Sequence, residues 1–251
     1  MILYEYPLNE RIRTYLRLGR LFGRLEQLIV RDSALDHHFA LTTIFELLEA
    51  TSRADLKSDV LRDLDKQKKQ FASWRGNPAI SETTLDAVLA QLQESFDHLT
   101  GQHIKSGMDL LQHEWLMSLR SRSAIPGGTC EFDAPAYHAW QHHSAQQRRA
   151  DLQEWTASLA PLAHAISLLL RLLRDSAQPQ KVIASGGNLQ QMLPQGSAFQ
   201  LLRLSMDETS GLVPEISANR MVVVIRLMRP QPDGSLAPAR EDATLELALC
   251  A

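Results

Sequence analysis

The spacing of apolar residues changes most clearly near Gln178, and that change limits the folds open to this chain. From about Asn9 to Arg174 the apolar side chains recur at helical intervals, as on one face of an amphipathic helix. From Gln178 onward they alternate with polar ones, as along a half-buried strand. A further stretch of strand character, Ile2 to Tyr6, is rich in β-formers and closed by Pro7. The expected class is α+β, a helical bundle beside an antiparallel β-domain assembled from segments far apart in sequence.

The helical part carries its own start and stop signals. Tyr15, Leu18, Leu21, Phe22, Leu25, Leu28 and Ile29 line one side of a first helix, with Asn9 placed as N-cap and Glu10 in the first turn. Ser33 is placed to cap a second helix that runs to about Ala50. Ser52-Arg53-Ala54-Asp55 has the form of a capping box for a third helix, which stops at Gly76-Asn77-Pro78. Ser81 caps a fourth that ends at Gly101, and another covers about Met108 to Ser121. Ile125-Pro126-Gly127-Gly128 ends this run, Thr129 to Phe132 reads as a lone strand, and Asp133 with Pro135 restarts helix. Ser144-Ala145-Gln146-Gln147 is a second capping box, and Pro161 starts a new helix or kinks the old one.

In the C-terminal third, Ser185-Gly186-Gly187-Asn188 and Pro194-Gln195-Gly196 mark loops between strands. Strands are expected at Phe199 to Met206, Met221 to Arg229 and Ala243 to Leu249. In the second of these, Met221, Val223, Ile225 and Leu227 share one face, and Arg220, Val222, Val224 and Arg226 share the other. One sheet with one buried face accounts for this pattern. The strands at Ile2 to Tyr6 and Thr129 to Phe132 join it, because their backbone groups need partners. The division expected is a helical domain of residues 8–123 and 134–176 and a discontinuous β-domain of residues 1–7, 124–133 and 177–251.

Bulk properties narrow the function classes. The 251 residues carry 26 basic and 29 acidic side chains, a net charge of −3, so any cationic surface is local. The longest apolar patch, Ile166 to Leu173, is interrupted by Ser167 and Arg171, well short of the roughly 20 apolar residues of a membrane span. Two cysteines outside any CxxC pair make no disulfide framework. A soluble cytoplasmic protein without membrane insertion is expected.

No catalytic or metal-binding pattern stands out in the sequence. His138 and His142 stand four apart but lack the glutamate of H-E-x-x-H, and no Cys, Asp or Glu joins them at ligand spacing; His37-His38 has no more support. Ile125-Pro126-Gly127-Gly128 lacks the Gly-Lys-Ser/Thr ending of a phosphate loop, and Ser185-Gly186-Gly187 is not a nucleophile elbow. Cys130 has no histidine near it in sequence, so a packed thiol is expected. No enzyme activity, metal or cofactor is expected. Gly19 and Gly23 form G-x-x-x-G in the first helix, suited to a close helix approach within the chain or in a dimer.

Arginine density is the remaining signal. Arg13, Arg17, Arg20 and Arg24 fall on one stripe of the first helix at about 100° per residue. Arg53, Arg120, Arg122, Arg203, Arg220 and Arg226 add to them. Grouped, they would form a cationic groove for a short acidic peptide with apolar anchors. The alternatives are a solvated face neutralised by nearby carboxylates, or nucleic-acid binding by the Arg13/Arg17/Arg20/Arg24 stripe.

Several stretches, in order along the chain, resemble the ZapD family of FtsZ-associated bacterial cell-division factors. They are Tyr4-Glu5-Tyr6-Pro7-Leu8-Asn9-Glu10 with Arg13-Thr14-Tyr15-Leu16-Arg17, and Leu61-Arg62-Asp63-Leu64-Asp65-Lys66-Gln67. Ser123 to Pro135, Trp155 to Leu162, Ile225-Arg226-Leu227-Met228 and Leu245 to Cys250 complete the set. The resemblance implies a helical and a β-domain, a symmetric homodimer, and binding to the C-terminal tail of FtsZ, which mixes acidic and apolar residues. It also implies bundling of FtsZ filaments at the midcell division site. Arg226 matches the family's basic C-terminal strand, while Val222 stands where a basic residue is expected and Arg220 is two residues away on the same face. With the arginine pattern, the candidate tail-binding residues are Arg226, Arg220, Arg53, Arg17, Arg24 and Arg122.

Overall fold

A computed structural model describes residues 1–52, 55–101, 107–194, 196, 198–219 and 221–251. Strand β1 (Ile2–Pro7) precedes helices α1 (Glu10–Ile29), α2 (Ala34–Thr51), α3 (Leu56–Ala72) and α4 (Glu82–Gly101). Helices α5 (Glu114–Ser123), α6 (Pro135–Gln141), α7 (Ala145–Thr156) and α8 (Ala160–Asp175) follow. The chain then forms β2 (Gln180–Ala184), β3 (Asn188–Met192), β4 (Leu201–Met206), β5 (Val213–Ala218), β6 (Val222–Pro230), β7 (Leu236–Pro238) and β8 (Ala243–Cys250). The class is α+β, and two compact units divide it: Met1–Leu16 with Leu170–Ala251, and Arg17–Leu169.

In the helical unit the caps act largely as the sequence implies. Ser33 Oγ accepts from the Leu35 N–H at 3.1 Å, Ser81 Oγ from Thr84 at 3.4 Å and Ser144 Oγ from Gln147 at 3.2 Å. Each satisfies a donor that the first helical turn would otherwise leave unpaired. Helix α2 is its most enclosed element, with Ala40, Leu41, Ile44, Leu47 and Leu48 all buried. A leucine so buried contributes roughly 2 kcal/mol. Trp115, Trp140 and Trp155 gather with centroids 5.2–5.9 Å apart, and His113 lies edge-on to Trp155.

Some expectations fail here for local reasons. Thr129 to Phe132 is a run of turns in the helical unit, with Cys130 N–H bonded to Gly127 O and both Asp133 and Ala134 N–H to Cys130 O. Local bonds take up both backbone groups of Cys130, and Glu131 and Phe132 are exposed to water, so the segment needs no strand partner. Ser52 does not open α3; its hydroxyl donates to Glu49 O and closes α2, while Arg53 lies outside the described residues. The N-cap of α6 is Ala134 rather than Asp133, whose carboxylate faces Arg122 instead. The helix expected from Met108 begins only at Glu114, after a 3-10 turn, and His113 Nδ1 caps it. A Cβ added at Gly23 would meet nothing within 4 Å, so no described element of this chain packs closely on that glycine.

The β-unit holds two antiparallel sheets where one was expected. One has the order β1-β4-β8-β2, and the other β3-β6-β5 with β7 also paired to β6. Their inward faces supply a common core that includes Leu202, Leu204, Met206, Val223, Ile225, Leu227, Leu245 and Leu247. Alternation had placed Met221 on that face, but it lies just before β6 and is exposed. The chain passes from one sheet to the other through the β2–β3 hairpin, where Gly186 and Gly187 have φ of 55° and 75°. Two successive positive φ values suit a tight hairpin turn. Gly187 is further constrained because a Cβ there would lie 2.4 Å from Ala239 O.

Behind the first sheet, Glu5 on β1 sits opposite Arg203 on β4, as their register requires. Arg174 grips both oxygens of Glu5 at 2.7 Å, and Arg203 Nε stands 3.5 Å from the same carboxylate. The fork geometry of the Arg174 guanidinium matches the planar carboxylate.

Candidate functional site

Strand β6 is covered by core on one side only. Val223, Ile225 and Leu227 point inward, so Val222, Val224 and Arg226 necessarily share the outer face. Register then fixes their neighbours. Arg226 lies between Asn188 on β3 and Glu215 on β5; Val224 between Gln190 and Ser217; Val222 opposite Met192. Asn188, Gln190, Met192, Glu215, Ser217 and Arg226 are exposed, and both valines are half-buried. Among the described residues Arg226 makes no ion pair, although Glu215 is directly across from it. The face therefore offers a cation beside a short apolar strip, chemistry suited to a carboxylate next to an apolar side chain.

The other candidate residues divide into three situations. Arg220 and Arg53 lie outside the described residues. Arg17 on α1, and Arg20 beside it on the stripe, are exposed and carry no ion pair among the described residues. Arg24 and Arg122 are already engaged, with Glu46 at 2.6 Å and Asp133 at 3.8 Å. Arg13 is likewise paired, with Glu10 at 3.1 Å. Arg203, read from sequence as part of a cationic groove, is turned instead to the partly buried Glu5. Arg226 and the Arg17–Arg24 group belong to different compact units.

Sequence reasoning did not find Asn188, Gln190 and Met192, which complete the outer face beside Arg226. The segment Asn188-Leu189-Gln190-Gln191-Met192 is too polar to announce a strand; its only advance sign is the preceding Gly-Gly turn.

His37 and His38 are held within the helical packing. Burial pushes the His37 pKa down, opposed by backbone hydrogen bonds and reinforced by the nearby Arg148 charge. The Arg148 guanidinium, itself buried, donates from Nε to His37 Nδ1 at 2.9 Å. Its other nitrogens reach the carbonyls of Gln141 at 3.0 Å, Asp32 at 2.6 Å and His143. His38 Nδ1 meets the Tyr137 hydroxyl at 2.6 Å, and burial lowers the one pKa and raises the other. His142 Nδ1 bonds to His138 O at 2.8 Å. Among the described residues, no group of three or more His, Cys, Asp or Glu side chains is arranged to hold a metal ion. Burial raises the Cys250 thiol pKa, opposite to what a nucleophile needs.

A helical unit and a two-sheet β-unit, whose outer face carries an exposed arginine beside two half-buried valines, define an α+β protein without a metal cluster among the described residues. Known sequences place it more narrowly. The profile of the ZapD family, described as a cell division protein, matches residues 16–226. The "Cell division protein ZapD" of Ralstonia pickettii (strain 12J) is 51% identical over 253 aligned residues, covering 100% of this chain and 99% of that protein. Those of Ralstonia nicotianae and Janthinobacterium sp. (strain Marseille) are 50% and 49% identical, again over 100% of this chain and 99% of theirs. This chain belongs to the ZapD family of cell division proteins.

Proposed function

We propose that this protein binds the C-terminal tail of FtsZ through the outer face of β6 and, as a symmetric homodimer, cross-links FtsZ filaments into bundles. The observation that carries the reading is Arg226, an exposed arginine without an ion pair among the described residues, set beside Val222, Val224 and Met192. A tail of mixed acidic and apolar residues meets both features at once. Arg17, Arg24, Arg122, Arg53 and Arg220 are the further candidate contacts; of the three among the described residues, Arg17 has no carboxylate to displace, whereas Arg24 and Arg122 do.

The activity is mechanical. A two-fold dimer presents two equivalent tail sites, so one dimer engages two filaments. A filament displays many tails, and modest single-site affinity becomes avidity. The protein acts in the cytoplasm at the midcell division site, where bundling supports assembly of the ring. Exposed charge pairs are screened, so added salt loosens the complex.

Nucleic-acid binding by the arginine stripe is the weaker reading. Arg13 and Arg24 already hold carboxylates, and the net charge of −3 adds no long-range attraction for phosphate.

Co-sedimentation with GTP-assembled FtsZ, beside FtsZ lacking its tail, tests the proposal. Pelleting with intact filaments alone is expected. Equal pelleting with both would move the contact off the tail, and pelleting with neither would remove FtsZ as partner.

A further inference from the structure

The hydrogen-bonding direction of β3 adds a binding mode to this face. Leu193 N–H donates to Met221 O at 2.7 Å, and Leu227 N–H donates to Gly187 O at 2.7 Å. With the register Asn188↔Arg226 through Met192↔Val222, the odd-numbered residues of β3 direct their backbone groups toward β6. The even-numbered ones point away from the sheet. The Asn188 N–H is used by the hairpin, bonding to Ser185 O at 3.0 Å. Gln190 N–H, Gln190 C=O and Met192 N–H have no partner among the described residues. The hairpin neighbour β2 does not cover them. Beyond the single Ser185–Asn188 bridge, β2 pairs with β8 in the other sheet. An open row of donors and acceptors of this kind is a template for one more strand.

We infer that the acidic tail docks by adding itself as a strand to the free edge of β3, an inference that rests on the tail-binding reading above. Main-chain bonds to Gln190 and Met192 would hold an extended peptide there. Its alternate side chains would then lie on the same outer face as Met192, Val224 and Arg226. A strand added beside β3 lies roughly 10 Å from β6, two strand spacings away. An extended arginine meeting an acidic side chain spans that distance, and the residue between them is the short Asn188.

Charge and backbone chemistry favour this edge over the others. The outer edge of β5 presents Pro214, which has no N–H to donate, beside the negative Glu215. On β1 the outward charge is Glu5, already held by Arg174 and Arg203. On β2, Lys181 has Glu246 as its cross-strand neighbour, so the local charge is balanced.

A synthetic FtsZ tail peptide and two N-methylated versions of it, methylated at alternate residues in opposite phase, test the inference by fluorescence anisotropy. Amide hydrogen exchange on the full-length protein is read in parallel. The expected result is a tenfold or greater loss for one phase, little change for the other, and new protection at the Gln190 and Met192 amides. Binding of the plain peptide with neither phase sensitive, or with protection at Ile216 and Ala218 instead, overturns the β3 strand mode and leaves tail binding standing. Absence of binding by the plain peptide overturns both.

Discussion

Replacing Arg148 with methionine tests how the helical unit is held together. Arg148 ties three segments: the loop before α2 through Asp32 O, α2 itself through His37 Nδ1, and the α6–α7 connection through the carbonyls of Gln141 and His143. Methionine matches much of the length of the side chain and donates to none of them. A charge-assisted hydrogen bond contributes about 1.5–3 kcal/mol where its acceptor remains buried, and less where water can replace it. His37 is fully buried, whereas Asp32 and His143 are exposed residues and the bonds to their carbonyls are only partly buried. The His37 bond therefore carries the largest share. Relief from burying a guanidinium returns part of the loss. The net destabilisation is about 3 kcal/mol. Urea unfolding followed by far-ultraviolet circular dichroism measures it. Arg148→Lys should recover part of the stability, because an ammonium can serve some of the acceptors but not all. A loss under about 1 kcal/mol for the methionine variant would refute the argument that these bonds hold the three segments.

Other perturbations give further expected outcomes. Gly187→Ala forces a side chain into a positive-φ position and onto Ala239 O, and should cost roughly 2–4 kcal/mol in the same urea assay. Glu5→Gln removes the charge that holds Arg174 and Arg203; with those side chains 35% and 26% exposed, solvent screening limits the loss to about 2 kcal/mol in that assay. The pH dependence follows from His37 and His38, both with pKa values lowered by burial from 6.5. The unfolded chain takes up their protons first, so their stabilisation is complete above that value and is lost as pH falls through it toward the folded values. Urea midpoints should therefore drop from about pH 7.5 to about pH 5.5, and His37→Asn, an acceptor that does not titrate, should flatten the slope.

The parts of this fold that were legible in the sequence depend on neighbours a few residues away. Asn9, Ser33, Ser81 and Ser144 cap helices because each needs only a backbone N–H two or three residues on. Strand β6 was legible because alternate burial leaves a period of two. The strands β2, β3, β5 and β7 were not. Their residues are too short or too polar to show that period, and they become strands through partners such as β8 and β6. Thr129 to Phe132 is the converse, with β-forming composition and no strand partner.

The candidate site divides along the same line. Arg226 could be placed on the outer face from its own strand alone. The capture of Arg203 by Glu5 could not, because the two meet only through β1–β4 pairing across most of the chain. Arg148 gave no signal at all; within Gln146-Gln147-Arg148-Arg149 it looks like any surface arginine.

The most direct measurement is a calorimetric titration of the FtsZ tail peptide into the wild-type protein and into Arg226→Glu, with urea midpoints taken on both. Equal midpoints with at least a tenfold weaker affinity for the variant is the predicted result. Equal affinity in a variant that folds as well as the wild type would contradict the assignment of this sheet face as the tail site.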